Sequence, residues 1–109
     1  MAKYKIKKAT NYQFYWVFIA SNGEPIIKSE TYTTKDSCKN GIYSSKVSVN
    51  DSNFDRRTSI NYQYYFNQRA NNYQVLGTSE TYTSSYNRDY AIEVVKREAP
   101  TASIEDLTV

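Results

Sequence analysis

Apolar side chains on every second position predict a β-hairpin near the start of the chain. Residues 12–20 follow this period-two pattern and are mostly aromatic or β-branched, which is typical of a strand. The large side chains on one side of the strand are those of Phe14, Trp16 and Phe18. Asn22-Gly23 follows, the pair that favours a tight type I′ turn, and residues 25–30 are predicted to form the return strand.

A helix over residues 34–48 is predicted after this hairpin. Thr33 or Thr34 can cap the helix by accepting a hydrogen bond from a first-turn N–H. Residues at helical spacing then form a narrow stripe that would face the sheet. This stripe consists of Cys38, Ile42, Ser45 and Val49.

The chain repeats itself after 50 residues. Residues 11–16 fall on residues 61–66 with four identities, and the run Ser-Glu-Thr-Tyr-Thr occurs at both 29–33 and 79–83. Across residues 11–59, 14 of 49 positions are identical to their counterparts, where chance would give about three. The chain therefore contains a duplication, and the elements of the first copy predict those of the second.

The second copy contains the same helix over residues 84–99, with Ser84 as its cap and Pro100 as its end. A short strand occurs three times, opening at Tyr4, Phe54 and Ile104. We therefore predict an α+β fold with two ββα repeats that share short edge strands, antiparallel sheets packed with two helices, and a pseudo-twofold axis. Residues 1–109 are predicted to form one domain, with repeats over about 3–58 and 53–108.

Several segments, in their order along the chain, resemble the YegP-like tandem-repeat family. The second-half segments are 54–59, 65–67 and 74–82, and residues 99–108 close the match. The first half matches at Asn22-Gly23-Glu24, Ser29-Glu30-Thr31-Tyr32, Lys35, Cys38 and Asn40-Gly41-Ile42. The resemblance implies the α+β architecture and the pseudo-twofold. It implies no activity, substrate or cofactor, since the family is a domain of unknown function.

The second repeat departs from this family pattern at two places. Residues 71–74 stand in place of a hairpin turn with Asn-Gly, and Tyr90-Ala91 stands where the first repeat has Asn40-Gly41. These differences leave the predicted fold intact but make the two repeats unequal.

Composition excludes several kinds of chemistry. The chain has no histidine, which rules out Ser-His-Asp and Cys-His catalytic pairs and His-ligated zinc. Cys38 is the single cysteine, so internal disulfides and multi-cysteine metal sites are excluded as well. No apolar run is long enough to span a membrane, and we expect a soluble cytoplasmic protein with no cofactor.

The repeated Ser-Glu-Thr-Tyr-Thr run is a candidate for two symmetric sites, at Glu30 and Tyr32 and at Glu80 and Tyr82. A helix N-terminus attracts anions, but a neighbouring glutamate would repel them. The structural interpretation, with Tyr filling a core position and Thr capping the helix, is therefore favoured. No catalytic or metal-binding residue is predicted, and we do not expect an enzyme.

Two interaction hypotheses remain open. The side of the first strand opposite Trp16 is formed by Tyr15, Val17 and Ile19, whereas its counterparts are Tyr65, Asn67 and Arg69. An exposed apolar set of this kind would favour a protein partner or self-association, unless the N-terminal strand or the repeat junction covers it. We favour this interaction module and, narrowly, a monomer.

The alternative is single-stranded nucleic-acid binding by surface tyrosines and basic side chains. Its candidate contacts are Lys3, Lys5, Lys7, Arg56, Arg57 and Arg69. The formal net charge is +3, but residues 11–109 contain 10 basic and 11 acidic side chains. This near-neutral body makes nucleic acid the second choice.

Overall fold

A computed structural model describes residues 1–109 and contains both predicted helices. The elements in chain order are β1 (Lys3–Lys8), β2 (Phe14–Ile19), β3 (Pro25–Ser29), α1 (Lys35–Val47), β4 (Phe54–Thr58), β5 (Tyr64–Arg69), β6 (Val75–Ser79), α2 (Ser85–Glu98) and β7 (Ser103–Asp106). Thr34 caps α1 and Ser84 caps α2, each by accepting the backbone N–H three residues later. None of the helices combines the length and apolar character needed to cross a membrane.

All seven strands form one sheet in the order β4-β5-β6-β3-β2-β1-β7. The two repeats meet where β3 and β6 pair antiparallel, with Lys28 opposite Thr78. These two residues are 50 positions apart, so the pseudo-twofold axis passes between them, and Ile27 opposite Ser79 is related by it to Gly77 opposite Ser29. The predicted α+β class with two repeats and a pseudo-twofold axis is confirmed.

The short edge strands are arranged differently from the prediction. β4 is not shared between the two repeats but pairs only with β5, and β7 pairs with β1 in parallel. The position beside β2 is already taken by β1. The third copy of the short strand therefore adds outside β1, in the same direction.

The predicted type I′ turn after β2 is wrong. A type I′ turn needs positive φ at both central residues, and here only Gly23 has one, at 89°. The Gly23 N–H donates to the Ala20 carbonyl and the Ala20 N–H donates to the Glu24 carbonyl, which closes a three-residue loop. The other three hairpins have the same loop, with Tyr12, Tyr62 and Tyr73 in the left-handed conformation.

Both helices pack on one face of the sheet. The fully buried core includes Tyr4, Ile6, Trp16, Phe18 and Phe66 from the strands, and Cys38, Ile42, Ile92 and Val95 from the helices. Every second residue of a strand points to the opposite face. That opposite face has no helix over it.

A buried glutamine joins the end of α1 to the second repeat. The Gln68 amide donates to the carbonyls of Ser45 and Ser48, at 3.0 and 2.9 Å, and its oxygen accepts from the Ser45 hydroxyl at 2.7 Å. The Ser48 carbonyl lies at the C-terminal cap of α1, where carbonyls lack a partner within the helix, and the Ser45 carbonyl otherwise accepts the Ser48 N–H at 3.3 Å. Gln68 therefore completes the hydrogen bonds of a helix from the other repeat.

Candidate functional site

The sheet surface without helices, here called the open face, collects residues from both interaction hypotheses. Its first-repeat half contains Lys3, Lys5, Lys7, Tyr15, Val17, Ile19 and Lys28. Its second-repeat half contains Asp55, Arg57, Tyr65, Asn67, Arg69 and Thr78, and β7 adds Glu105 next to Lys5. These positions have six basic and two acidic side chains, which amounts to a net +4. The basic charge of the protein is therefore concentrated on this face.

The first half of the open face has an apolar strip between lysines. Tyr15, Val17 and Ile19 are half-buried, and each lies opposite a lysine of β1. On the other side of the strip, the Lys28 ammonium lies 5.1 Å from the centre of the Tyr15 ring. β1 and the repeat junction lie beside this strip and do not cover it.

Five of the six predicted nucleic-acid contacts lie on the open face, and Arg56 does not. Since side chains alternate along β4, Arg56 points to the helix side, where it pairs with Asp51 at 2.9 Å and Asp89 at 3.1 Å. On the open face, Arg57 pairs with Asp55 at 2.7 Å and Lys5 lies 3.8 Å from Glu105.

The remaining lysines of the open face, Lys3, Lys7 and Lys28, have no carboxylate within ion-pair distance. All three border the apolar strip. They supply positive charge that nothing in the chain neutralises.

Two clefts on the helix side are related by the repeat. The polar cleft, of 530 Å³, is lined by Glu30, Thr31, Tyr32, Ser37, Asn40, Gly41, Ser44, Gln74, Val75 and Leu76. The apolar cleft, of 240 Å³, is lined by Ala20, Asn22, Glu24, Ile26, Tyr82, Asn87, Tyr90, Ala91 and Val94. A shift of 50 residues carries seven of the polar cleft's positions onto the apolar cleft. Each cleft combines the helix of one repeat with the hairpin of the other.

In the polar cleft, Tyr32 occupies the space that Gly41 leaves open. A Cβ on Gly41 would lie 2.6 Å from Tyr32 Cζ and 3.1 Å from Trp16 Nε1. The Trp16 indole N–H is buried without a well-formed hydrogen bond. Burial raises the pKa of the Tyr32 hydroxyl, and the nearby Trp16 partly opposes this.

The apolar cleft has a different set of residues around its tyrosine. Ala91 has the methyl group that Gly41 lacks, and Phe66 replaces Trp16, so there is no indole N–H. Burial raises the pKa of Tyr82 to about 12, with contributions from Glu80 and then Glu24. The Tyr82 hydroxyl thus lies in the field of two carboxylates.

The four predicted repeat-symmetric residues are divided between the two clefts. Glu30 and Tyr32 line the polar cleft, Tyr82 lines the apolar cleft, and Glu80 is exposed near it. They do not converge on one site. The helix caps, Thr34 and Ser84, come just after the repeated run and not within it.

A role of the repeated run that we did not predict belongs to its serines. The Ser29 hydroxyl accepts the backbone N–H of Trp16 at 2.8 Å and donates to the Glu30 carbonyl at 2.7 Å. Ser79 does the same with Phe66 and Glu80, at 2.9 and 2.8 Å. Because the same five residues occur in both repeats, the sequence already indicated that each run makes the same contact.

Reactive groups are few. Burial, assisted by the charge of Asp106, raises the pKa of the Cys38 thiol to about 11, so the thiolate is disfavoured. Arg88 stands at the position of Cys38 in the second repeat, and its guanidinium donates a hydrogen bond to the Asp89 carboxylate at 3.0 Å. No three His, Cys, Asp or Glu side chains are grouped to hold a metal ion.

The chain is similar to a family of tandem-repeat proteins. The model of a domain of unknown function, DUF1508, matches it twice, over residues 9–53 and 60–106. UPF0339 proteins of Acinetobacter baylyi and Pseudomonas aeruginosa are 44% and 40% identical over 106 residues, which is 96% of each chain.

Two solution structures have the same fold. The UPF0339 protein of Shewanella oneidensis superposes with a TM-score of 0.91 at 37% identity, covering 97% of this chain and 91% of the other. YegP of Escherichia coli, a protein of unknown function, superposes with a TM-score of 0.91 at 32% identity, covering 97% and 92%. The predicted relationship is confirmed: the chain belongs to the DUF1508 family, together with the UPF0339 proteins of the YegP type.

Proposed function

We propose that this protein is a non-enzymatic interaction module whose open face binds an acidic, partly apolar segment of another protein. The observation that carries the proposal is the apolar strip of Tyr15, Val17 and Ile19. It is bordered by four lysines, of which Lys3, Lys7 and Lys28 have no carboxylate within ion-pair distance in the chain. An acidic segment with apolar side chains would meet both features at once.

The charge of the open face also favours a different protein over a second copy. Two copies meeting face to face would bring together two surfaces of net +4. Like charges oppose such an association, and the expected state is a monomer. The buried, unactivated Cys38 suits the reducing cytoplasm, which we keep as the expected compartment.

A single nucleic-acid strand fits this face less well. Tyr15 and Tyr65 are its two aromatic side chains, and they stand on β2 and β5, with two strands between. Their backbones are therefore at least about 14 Å apart, too far for stacking of neighbouring bases. The Tyr15 ring is also covered by the Lys28 ammonium, and the strip continues with aliphatic side chains.

The test is an NMR titration of the labelled protein at physiological salt. The ligands are a short peptide of alternating glutamate and leucine, an all-glutamate peptide of equal length, and an oligothymidylate of equal charge. We expect the alternating peptide to bind most tightly and to shift the amides of β1 and β2. Ile19→Asp should weaken it about tenfold or more, whereas Asn67→Asp, which adds the same charge to the other half, should have little effect.

Other outcomes would overturn the proposal. Tighter binding of oligothymidylate would favour nucleic acid, and equal binding of both peptides would show that charge alone acts. Light scattering would add a third case. If a wild-type dimer became a folded monomer on Ile19→Asp, the strip would bind a second copy.

A further inference from the structure

The apolar cleft is a separate feature from the open face and lies on the helix side of the sheet. Its floor is made by the buried side chains Ile26, Ala91 and Val94, and its walls by the rings of Tyr82 and Tyr90. Its volume is 240 Å³, and an apolar cavity of about 150 Å³ is known to accept benzene. The cleft therefore has room for one aromatic ring with a short substituent.

The mouth of the cleft carries unpaired negative charge. Glu24 lines it and makes no side-chain hydrogen bond or ion pair within the chain. No lysine or arginine lines the cleft. The charge of Glu24 and of the nearby Glu80 is felt at the Tyr82 hydroxyl. A positively charged group at the mouth would be stabilised by Glu24, and the tyrosine rings favour a cation as well.

We propose that the apolar cleft binds a small arylalkylamine, with the aromatic ring between Tyr82 and Tyr90 and the ammonium group beside Glu24. The polar cleft is not equivalent in this respect. Its residues at the corresponding positions are Asn40, Gly41 and Ser44 in place of Tyr90, Ala91 and Val94, and Gln74 in place of Glu24. It keeps one aromatic wall, at Tyr32, but lacks the second ring, the apolar helix side chain at position 94 and the charge at position 24.

Three probes with the same ring separate the two contributions. Phenethylamine is cationic, 2-phenylethanol is neutral, and phenylacetate is anionic. In NMR titrations we expect the amides of Ala91 and Val94 to shift and saturate at millimolar concentrations. Phenethylamine should bind about two- to fivefold more tightly than the alcohol, and phenylacetate should bind most weakly.

The polar cleft supplies matched variants. Glu24→Gln introduces the residue of position 74 and should abolish the advantage of the amine while leaving the neutral alcohol unaffected. Tyr90→Asn introduces the residue of position 40 and should weaken all three probes. Both side chains are exposed, so we expect both variants to fold, which their thermal melting would verify.

Three results would overturn the proposal. One is equal affinity for the three probes. Another is that amides at the polar cleft shift as much as those at the apolar cleft. The third is a response that does not saturate. Loss of peptide binding at the open face would not affect this outcome, because the two sites lie on opposite sides of the sheet.

Discussion

The polar and apolar clefts have the same framework and opposite chemistry. Both are built from a helix, a tyrosine at the same position of the repeat, and the hairpin of the other repeat. Their helices differ at four lining positions. At three of them, Asn40, Gly41 and Ser44 are replaced by a tyrosine, an alanine and a valine, and at the fourth a serine is replaced by an asparagine. The difference teaches that the duplicated framework tolerates a change from a polar to an apolar lining on its helix. One copy can therefore acquire a binding property that the other lacks.

The framework itself has one position where the repeats cannot be equal. Ile27 and its counterpart Gly77 both lie beside the pseudo-twofold axis, on the helix side of the sheet. A Cβ on Gly77 would lie 2.7 Å from Ile27 Cγ2 and 2.8 Å from the Lys28 carbonyl oxygen. Only one of the two positions has room for a side chain.

Gly77→Val would break this arrangement and should have the largest effect. The new side chain would push on the Lys28 backbone and on Ile27, and separate the two strands that join the repeats. We expect a loss of about 3 kcal/mol or more in the free energy of unfolding, measured by chemical denaturation. Thr78→Val is the control, since Thr78 is exposed and neighbours it. Wild-type stability of Gly77→Val would contradict this account of the axis.

Gly41→Ala introduces the second repeat's residue into the first and should have the next largest effect. The new methyl group would displace the Tyr32 hydroxyl end and leave the Trp16 indole N–H against an apolar group. We expect a cost of about 1–3 kcal/mol in unfolding free energy. Alanine is normally the better helix residue by about 1 kcal/mol, so a stabilised variant would show that Tyr32 does not need this space.

Gly23→Tyr sharpens the comparison of the hairpins, with a smaller effect. It introduces the residue of position 73 at a φ of 89°, which costs a side-chain-bearing residue about 1 kcal/mol. Tyr73 has a compensating contact, because the Arg69 guanidinium lies 4.7 Å from its ring centre. The counterpart of Arg69 is Ile19, which cannot provide it. We therefore expect Gly23→Tyr to lower the melting temperature while Tyr73→Gly changes it little.

The smallest expected effect is on the loss of folding stability at acidic pH. Arg56 and Lys96 lower the pKa of Asp51 to about 2. A carboxyl group whose pKa is lower in the folded state stabilises at neutral pH, and that stabilisation is lost as pH falls from about 4 towards 2. Asp51→Asn should therefore lose less stability than the wild type over this range. Asp36→Asn, at an exposed residue without an ion pair, should decline like the wild type, and equal curves for all three proteins would contradict the prediction.

The strands and helices could be predicted because the duplication presents each pattern twice. The turn type could not, since Asn-Gly suits both two-residue and three-residue loops, and the register of the strands decides between them. Nothing in an aromatic residue signals the left-handed conformation of Tyr12, Tyr62 and Tyr73. The only indication was that Tyr73 aligns with Gly23.

The sites were harder to predict than the fold because they combine distant segments. Each cleft takes residues from both repeats, so neither is visible in one copy of the pattern. The open face was hidden for a different reason. The net charge of residues 11–109 is −1. This total does not show that Lys28, Arg57 and Arg69 share a face while most acidic side chains lie elsewhere.

The central claim is that the repeats differ by coupled exchanges within a common framework, and a double-mutant cycle tests it most directly. The cycle combines Gly41→Ala with Trp16→Phe, which together give the first repeat the second repeat's pair. We predict that Gly41→Ala costs at least about 1 kcal/mol less in the Trp16→Phe background than in the wild type, because phenylalanine leaves no indole N–H without a partner. The same cost in both backgrounds, measured by chemical denaturation, would contradict the claim.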